Sequence, residues 1–296
     1  MNDFGMSNFA KGWFTMKKLL VALAIVVLGG SGIAYGEFIV TFGSYAVGSA
    51  VNGQGGWTES GGSTNYKIAA AGVGGTRGVD NGTTGSVQLN WTGHPFKWSS
   101  LAVGDKVVVR MDFQANGAST FDDDRTGWAM ADNTAFASAY NFATQLDQSD
   151  GGGHRIVTYW RTAYGGGTQI KLSLASFGGL IVANDWYRSE LDVTKLTATS
   201  ARVDVSLVHL DAAGNPTGTP ITGFVADTSA LGANSPDPKY FTGDASDTMY
   251  PMFKNYSAIP GNVDNAYFNI VPEPSTIALA ASGLAGLALL ALRRRK

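Results

Sequence analysis

Apolar and polar side chains alternate with a period of two along several segments of this chain. One face of the segment 106–113 carries four apolar side chains, Val107, Val109, Met111 and Phe113. The opposite face carries Arg110 and Asp112 among its residues. A period of two is the repeat of a β-strand whose two faces meet different environments. The pattern therefore predicts a strand with one buried face.

Further runs of this kind occur along the chain. They are Tyr66–Ala70, Ser86–Trp91, Arg155–Trp160, Gln169–Leu174, Trp186–Val193, Arg202–Leu207 and Ala266–Val271. The 39 glycines, against nine prolines, cluster between the runs and favour tight turns. The segment Asn133–Leu146 has a helical composition without an apolar stripe, so we predict a loop or a short helix there. A dozen or so strands in about 235 residues, without alternating helices, predict one all-β domain, an antiparallel two-sheet sandwich.

Cysteine content and charge exclude several classes of function. The chain has no cysteine, which excludes disulfides, thiolate metal sites and a cysteine nucleophile. The formal charge is -2, and both ends are net positive, so the segment between them is more acidic than the total indicates. An acidic body is a poor partner for phosphate backbones, and we expect no binding to nucleic acid.

Residues 1–36 have the features of a leader followed by a secretory signal peptide. Met16 is the expected true start, because it is followed by two lysines, the apolar run Leu19–Leu28 and a small-residue segment. The apolar run is too short to span a bilayer of about 30 Å. Cleavage by signal peptidase after Gly36 or after Ala34 fits the small-residue rule equally well.

The C-terminus has the features of a membrane anchor. Residues 276–292 form an uncharged stretch of about 17 residues, which at about 1.5 Å per residue spans a hydrocarbon core as a single helix. Four cations follow it as a stop-transfer signal, Arg293, Arg294, Arg295 and Lys296. By the positive-inside rule these cations stay in the cytoplasm, which agrees with export of the body.

The residues that precede this helix complete a recognisable pattern. Val271, Pro272, Glu273, Pro274 and Ser275, followed by an apolar helix and an arginine cluster, resemble the PEP-CTERM sorting signal of Gram-negative bacteria that make exopolysaccharide. The resemblance implies recognition by an exosortase, a membrane-embedded transpeptidase that processes the protein near the Pro-Glu-Pro triplet. It covers only the last 25 or so residues and implies a location, not an activity of the body.

The body has a resemblance of its own. The segments Thr41–Gly48, Gly53–Trp57, Trp186–Leu191 and Val263–Ala266 resemble, in their order, concanavalin A-like, laminin-G-type jelly rolls. This resemblance implies the sandwich fold. It also implies either a carbohydrate ligand or a role as a spacer or adhesive module.

Aromatic side chains are the candidates for binding extracellular polysaccharide, because sugar rings stack on exposed tryptophan and tyrosine faces. Trp91 and Trp98 flank a turn. Tyr159 and Trp160 are adjacent in a predicted strand, so one of the two faces outward unless both faces of the sheet are covered. These four residues are the candidates for a carbohydrate site, although most tryptophans of the body are expected to lie in the core.

An enzyme is the alternative to a binding module. The strand that contains Glu190 and Asp192 is similar to the start of the Glu-x-Asp-x-Glu strand of laminarinase-like glycoside hydrolases. Thr194 occupies the position that needs the second glutamate, and retaining hydrolysis needs a carboxyl pair about 5 to 5.5 Å apart. We therefore expect no catalytic residues, and we place Glu190 and Asp192 on the outer face of their strand.

Asp122, Asp123 and Asp124 form the densest anionic cluster of the body. A solvated acidic turn is the simplest interpretation of this cluster. Because oxygen ligands suit calcium, the three aspartates are also the candidates for a structural calcium site. No other cofactor is expected.

Together these features predict three parts: a leader and signal peptide (1–36), a β-sandwich (37–271) and a sorting signal (272–296). The expected protein is exported, held transiently at the inner membrane and then sorted by exosortase to the cell surface or extracellular matrix. Its body is expected to be a non-catalytic structural or carbohydrate-binding module, and the alternative is a glycoside hydrolase or lyase of the jelly-roll class.

Overall fold

All strands that the structure describes belong to the segment Gly36–Val271. The computed structural model describes residues 38–59, 66–80, 86–115, 125–131, 140–147, 155–163, 166–178, 181–182, 184–242, 248–256 and 262–273. One compact unit comprises Gly36–Val271, and the other comprises Met1–Tyr35 with Pro272–Lys296. Of the second unit, only Pro272 and Glu273 are among the described residues.

The larger of two sheets has eight strands within the described residues. They are β1 (Phe38–Val40), β3 (Lys67–Ala69), β4 (Gly78–Asp80), β6 (Lys106–Gln114), β11 (Trp186–Lys195), β12 (Ala201–Leu210), β13 (Pro216–Val225) and β15 (Val263–Val271). Their order is β13-β12-β11-β6-β15-β4-β3, and β1 pairs with β15 outside this path.

The smaller sheet has seven strands in the same part of the chain. They are β2 (Trp57–Glu59), β5 (Ser86–Trp91), β7 (Arg125–Ala131), β8 (Tyr140–Asp147), β9 (Arg155–Ala163), β10 (Gly166–Ser176) and β14 (Tyr250–Tyr256). Their order is β10-β9-β8-β7-β14-β5-β2. Neighbouring strands of both sheets are antiparallel, which confirms the predicted antiparallel two-sheet sandwich.

The predicted inner face of β6 is confirmed. Val107 and Val109 are completely buried, and Met111 and Phe113 are nearly so. Strand β11 alternates strictly between buried and half-buried residues over its whole length. These two central strands pair in register from Trp186 with Gln114 to Thr194 with Lys106. One apolar face per strand therefore fixes the register of the sheet, because a shift of one residue would turn the apolar side chains outward.

The prediction of a loop or short helix at Asn133–Leu146 is wrong from Tyr140 onward, because the segment Tyr140–Asp147 is strand β8. Strand β8 lies between β7 and β9, and its Thr144 and Leu146 are buried on one face. Pairing on both edges overrides the helical composition of the segment. Residues 132–139 lie outside the described residues.

Strand β13 escaped the sequence analysis because it contains two prolines and two glycines in ten residues. It occupies the end of the larger sheet and pairs there with β12. A strand at a sheet edge tolerates proline, because the missing N–H is not needed by a second neighbour.

One end of the sandwich is fastened by a buried lysine. The described residues include a short helix, α1 (Lys239–Thr242), and 3₁₀ turns at Val73–Gly75, Trp98–Ser100 and Thr228–Asn234. The ammonium group of Lys195, at the end of β11, donates to the carbonyls of Trp98 (2.8 Å), Leu101 (2.9 Å) and Phe241 (3.3 Å). Burial lowers the pKa of Lys195. This side chain ties the 3₁₀ turn and α1 to the end of the sheet.

Candidate functional site

The four aromatic residues predicted to bind carbohydrate are all buried. Trp91 and Trp160 are 0% exposed, Trp98 is 1% exposed and Tyr159 is 2% exposed. A sugar ring stacks only on a ring face that is open to solvent. The expectation of an exposed platform at Trp91, Trp98, Tyr159 and Trp160 is therefore wrong.

Trp91 and Trp98 belong to an internal cluster of aromatic rings. Trp91 stacks on Trp57 with ring centroids 4.8 Å apart and an angle of 9° between the ring planes. Trp98 makes an edge contact with Phe96, with centroids 5.6 Å apart. Such pairs add stability beyond the burial of their area, so these tryptophans have a packing role.

Tyr159 and Trp160 are buried on opposite faces of β9. Five consecutive residues of this strand, Ile156 to Trp160, are buried, so both faces of the sheet are covered here. The Trp160 indole N–H donates to the carbonyl of Asn234 at 2.7 Å, which fixes the turn after β13 against the smaller sheet.

Glu190 and Asp192 lie on the face of β11 that points away from the core, as the alternation predicts. The Lys106 ammonium donates to Asp192 at 2.6 Å, and the Arg110 guanidinium is 3.7 Å from the Glu190 carboxylate. Burial raises the pKa of both carboxyl groups, and Asp192 raises the pKa of Glu190 further. Each carboxylate therefore has a cation beside it on the neighbouring strand β6.

A second, more deeply buried group of polar residues lies on the same face of the larger sheet. The Arg188 guanidinium donates to both carboxylate oxygens of Asp112, at 2.7 and 2.9 Å. The Asn265 side chain also donates to Asp112, at 2.8 Å. Asp112 is 0% exposed, and the paired arginine compensates the cost of burying its charge.

Asp264 is the other fully buried carboxylate of this group and lies opposite Asp112 in the pairing of β15 with β6. It accepts hydrogen bonds from the hydroxyl of Thr76 and the backbone N–H of Asn265. Burial raises the pKa of Asp264 to about 7, and the charge of Asp112 adds to this effect. The sequence analysis did not identify Asp112 and Asp264 as a pair. The signal that could have found them is that each is a charged residue within a largely apolar strand.

Asp122, Asp123 and Asp124, the predicted calcium ligands, lie outside the described residues. Among the residues that the structure describes, no three acidic or histidine side chains lie close enough together to hold a metal ion. Calcium binding at the three aspartates stays a prediction.

The sorting segment begins where the last strand ends. Val271 is the last residue of β15 and pairs with Lys106, the first residue of β6. Pro272 and Glu273 follow the strand directly and are half-buried. Proline has no N–H to continue a strand pairing, so it fits the position after the last pair.

The remaining predicted residues of this segment, Pro274, Arg293, Arg294, Arg295 and Lys296, lie outside the described residues, as do 276–292 and the predicted signal peptide. Within the described ranges, no helix is both long and apolar enough to cross a bilayer.

Comparison with known proteins identifies the C-terminal segment. Residues 271–296 match the PEP-CTERM protein-sorting motif. This confirms the predicted resemblance at the C-terminus, and the motif implies an exported protein that an exosortase processes. A search of curated proteins found no sequence match.

Solved structures similar to this chain include lectins and a lyase. Lectin II from Ulex europaeus is 12% identical, with a TM-score of 0.47 over 81% of this chain and 100% of the lectin. The Lotus tetragonolobus seed lectin is 11% identical, with a TM-score of 0.47 over 81% of this chain and 100% of the lectin. The alginate lyase Aly36B is 11% identical, with a TM-score of 0.48 over 80% of this chain and 97% of the lyase. At this level of similarity neither the ligands nor the activity of these proteins transfer to the chain.

Proposed function

We propose that this chain is an exported, exosortase-sorted protein that delivers a non-catalytic β-sandwich to the cell surface or extracellular matrix of a Gram-negative bacterium. The sandwich serves there as a structural or carbohydrate-binding module. Signal peptidase and exosortase are its processing partners, and the inner membrane holds it until the sorting segment is cut.

The observation that carries this proposal is the position of Val271. The same residue ends the last strand of the sandwich and begins the matched sorting motif. The sorting motif therefore follows the last strand of the sandwich directly in the sequence. This β-sandwich is the cargo that we assign to the sorting motif.

The charges around Glu190 and Asp192 support a non-catalytic body. Retaining hydrolysis needs one carboxylic acid that gives up a proton and one carboxylate free to attack the sugar. Here both carboxyl groups face cations of β6, Arg110 and Lys106. The third position of the strand pattern is Thr194, which supplies no carboxylate.

A carbohydrate-active enzyme, either a glycoside hydrolase or a lyase, is the second candidate. It is favoured by the raised pKa values of Glu190 and Asp192, because a carboxyl group with a raised pKa can act as a general acid near neutral pH. The raised pKa values also follow from burial on a crowded sheet face, and burial is their largest cause here.

Calcium at Asp122, Asp123 and Asp124 and extracellular polysaccharide as a ligand are parts of the same proposal. Because Trp91, Trp98, Tyr159 and Trp160 are buried, polysaccharide binding would use other residues of the surface.

The experiment uses the protein recovered from the surface fraction of expressing cells. Neutral and acidic polysaccharides are incubated with it, and binding is measured by affinity electrophoresis. New reducing ends report hydrolysis, and ultraviolet absorbance of unsaturated uronates reports a lyase. We expect no products with any polysaccharide, with or without retardation of the protein in the gel. Product formation would contradict the proposal of a non-catalytic module and would favour the carbohydrate-active enzyme.

A further inference from the structure

The first and last strands of the body lie side by side. β1 and β15 pair antiparallel, with Phe38 opposite Phe268 and Val40 opposite Ala266. In an antiparallel pair, the start of one strand and the end of the other lie at the same end of the sheet. The chain therefore enters β1 and leaves β15 at one end of the larger sheet, which we call the exit end.

Two loops form the exit end beside Val271. Lys106, which follows the loop 97–105, pairs with Val271 on one side and with Thr194 on the other. The Gly104 N–H donates to the carbonyl of Lys195 at 2.7 Å, and the Lys195 N–H donates to the carbonyl of Asp105 at 2.9 Å. The loop 97–105 and the turn 196–200 are thus held next to the point where the chain leaves β15.

The exposed side chains of these two loops carry no charge, whereas Lys97 and Asp105 of the first loop are half-buried. The exposed residues are Ser99, Ser100, Ala102 and Val103 in one loop and Thr197, Ala198 and Thr199 in the other. Small uncharged side chains can approach lipid headgroups without the cost of removing a charge from water.

We call the opposite end of the larger sheet the far end. It contains the turn Asp211–Asn215, which connects β12 and β13. This turn is closed by the Asp211 N–H, which donates to the carbonyl of Asn215 at 2.9 Å. Strand β12 connects the two ends with ten residues, which at about 3.3 Å per residue places them about 30 Å apart.

We propose that the exit end faces the inner membrane in the uncut precursor and that the far end points away from the bilayer. This orientation rests on the proposed function, in which the segments before β1 and after β15 are the membrane-targeting parts. Four residues separate Val271 from the predicted helix 276–292, and two of them are prolines. Even fully extended, four residues span no more than about 14 Å, less than half of the distance between the two ends of the sheet. A spacer of this length keeps the exit end nearer to the lipid than the far end.

The absence of cysteine in the chain makes a direct test possible, because a single introduced thiol can be labelled without background. Ala102→Cys places the label at the exit end, and Ala212→Cys places it at the far end. Both positions are exposed alanines, so the two variants are matched. Ser99→Cys gives a second exit-end position should Ala102→Cys fold poorly.

The full-length precursor, made in cells without exosortase, is labelled with a fluorophore. It is then inserted into vesicles of phosphatidylethanolamine and phosphatidylglycerol with nitroxide-labelled headgroups. We expect quenching of the label at Ala102→Cys to exceed quenching at Ala212→Cys several-fold, and detergent micelles without nitroxide to remove the difference.

Flotation of the vesicles separates the two ways in which the experiment can fail. If the precursor floats with the vesicles but both labels are quenched equally, or the far-end label more, the orientation is wrong and the proposed function stands. If the precursor does not float, the membrane-bound precursor of the proposed function is wrong, and the orientation falls with it.

Discussion

Phe38 and Phe268 are opposite each other in the pair of β1 and β15, and their rings stack with centroids 6.4 Å apart. The His94 ring also contacts this pair, with its centroid 4.0 Å from that of Phe38 and 6.4 Å from that of Phe268. The first strand of the body is thereby attached through aromatic rings to the strand that leads into the sorting motif.

This contact predicts the effect of shortening Phe38. Phe38→Ala should lower the free energy of unfolding by about 1–2 kcal/mol, less than the 3–5 kcal/mol lost at a fully buried phenylalanine, because Phe38 is half-buried. Ile39→Ala, at an exposed neighbour in the same strand, should change it by no more than about 0.5 kcal/mol. Urea unfolding of both variants makes the comparison, and equal losses would mean that the ring contacts contribute nothing.

The pKa of Asp264 predicts how stability depends on pH. Its folded-state pKa is raised from 3.8 to about 7, so the folded protein binds this proton more tightly than the unfolded chain. The stabilisation is complete below pH 3.8 and is lost as the pH rises to about 7, with a total on the order of 4 kcal/mol. Asp264→Asn should make the free energy of unfolding much less dependent on pH between pH 4 and 7.

Asp211 serves as a control of opposite sign for this measurement. Hydrogen bonds from Asn215 lower the pKa of Asp211, so its contribution is present above the unfolded pKa and is lost as the pH falls below it. Asp211→Asn should leave the decline between pH 4 and 7 in place. If the free energy of unfolding declines equally in Asp264→Asn between pH 4 and 7, a group other than Asp264 causes the pH dependence.

The buried ammonium group of Lys195 predicts a large loss on substitution. Lys195→Met keeps the length of the side chain but removes the donor to the carbonyls of Trp98, Leu101 and Phe241. We expect a loss of about 2–3 kcal/mol, because three hydrogen bonds from a charged donor to backbone carbonyls are lost, although the Trp98 carbonyl keeps the Leu101 N–H as a donor. Lys239→Met, an exposed lysine of α1, should cost no more than about 0.5 kcal/mol in the same thermal and urea unfolding series. Similar losses of unfolding free energy in the two variants would contradict a special structural role of Lys195.

Glu190→Gln separates a module from an enzyme. The ion pair of Glu190 with Arg110 is 3.7 Å long and partly exposed, so its loss should change stability by no more than about 0.5 kcal/mol. Polysaccharide binding should not change, and cleavage should be undetectable in both the parent and the variant. Cleavage by the parent that disappears in Glu190→Gln would identify a catalytic carboxyl group.

The sequence predicted well those strands in which one face is buried. Val107, Val109, Met111 and Phe113 of β6 are inside, as the alternation predicts, and β11 alternates strictly between buried and half-buried residues. On the other face of β6 the alternation is less complete, because Val108 and Asp112 are buried there as well. Alternation fails where both faces are covered. Tyr159 and Trp160 are adjacent and both buried, and nothing in the local sequence distinguishes this case from a half-exposed strand.

The polar group around Asp112 could not be predicted from local sequence. Asp112, Arg188 and Asp264 come from three strands that are distant along the chain and meet only through the register of β11, β6 and β15. The sorting motif is the opposite case. Its residues are contiguous, so the sequence predicted it as well as the motif comparison did.

The central claim is that the Pro-Glu-Pro segment after Val271 sends a folded sandwich to the cell surface. Replacing Pro272, Glu273 and Pro274 together by alanine, with Ser275→Ala as the control, tests it by pulse-chase fractionation and intact mass in cells that contain exosortase. We expect the parent and the control to reach the surface fraction shortened at the C-terminus, while the triple variant is exported but stays at full C-terminal length in the inner membrane. Equal arrival of the triple variant at the surface would contradict the claim.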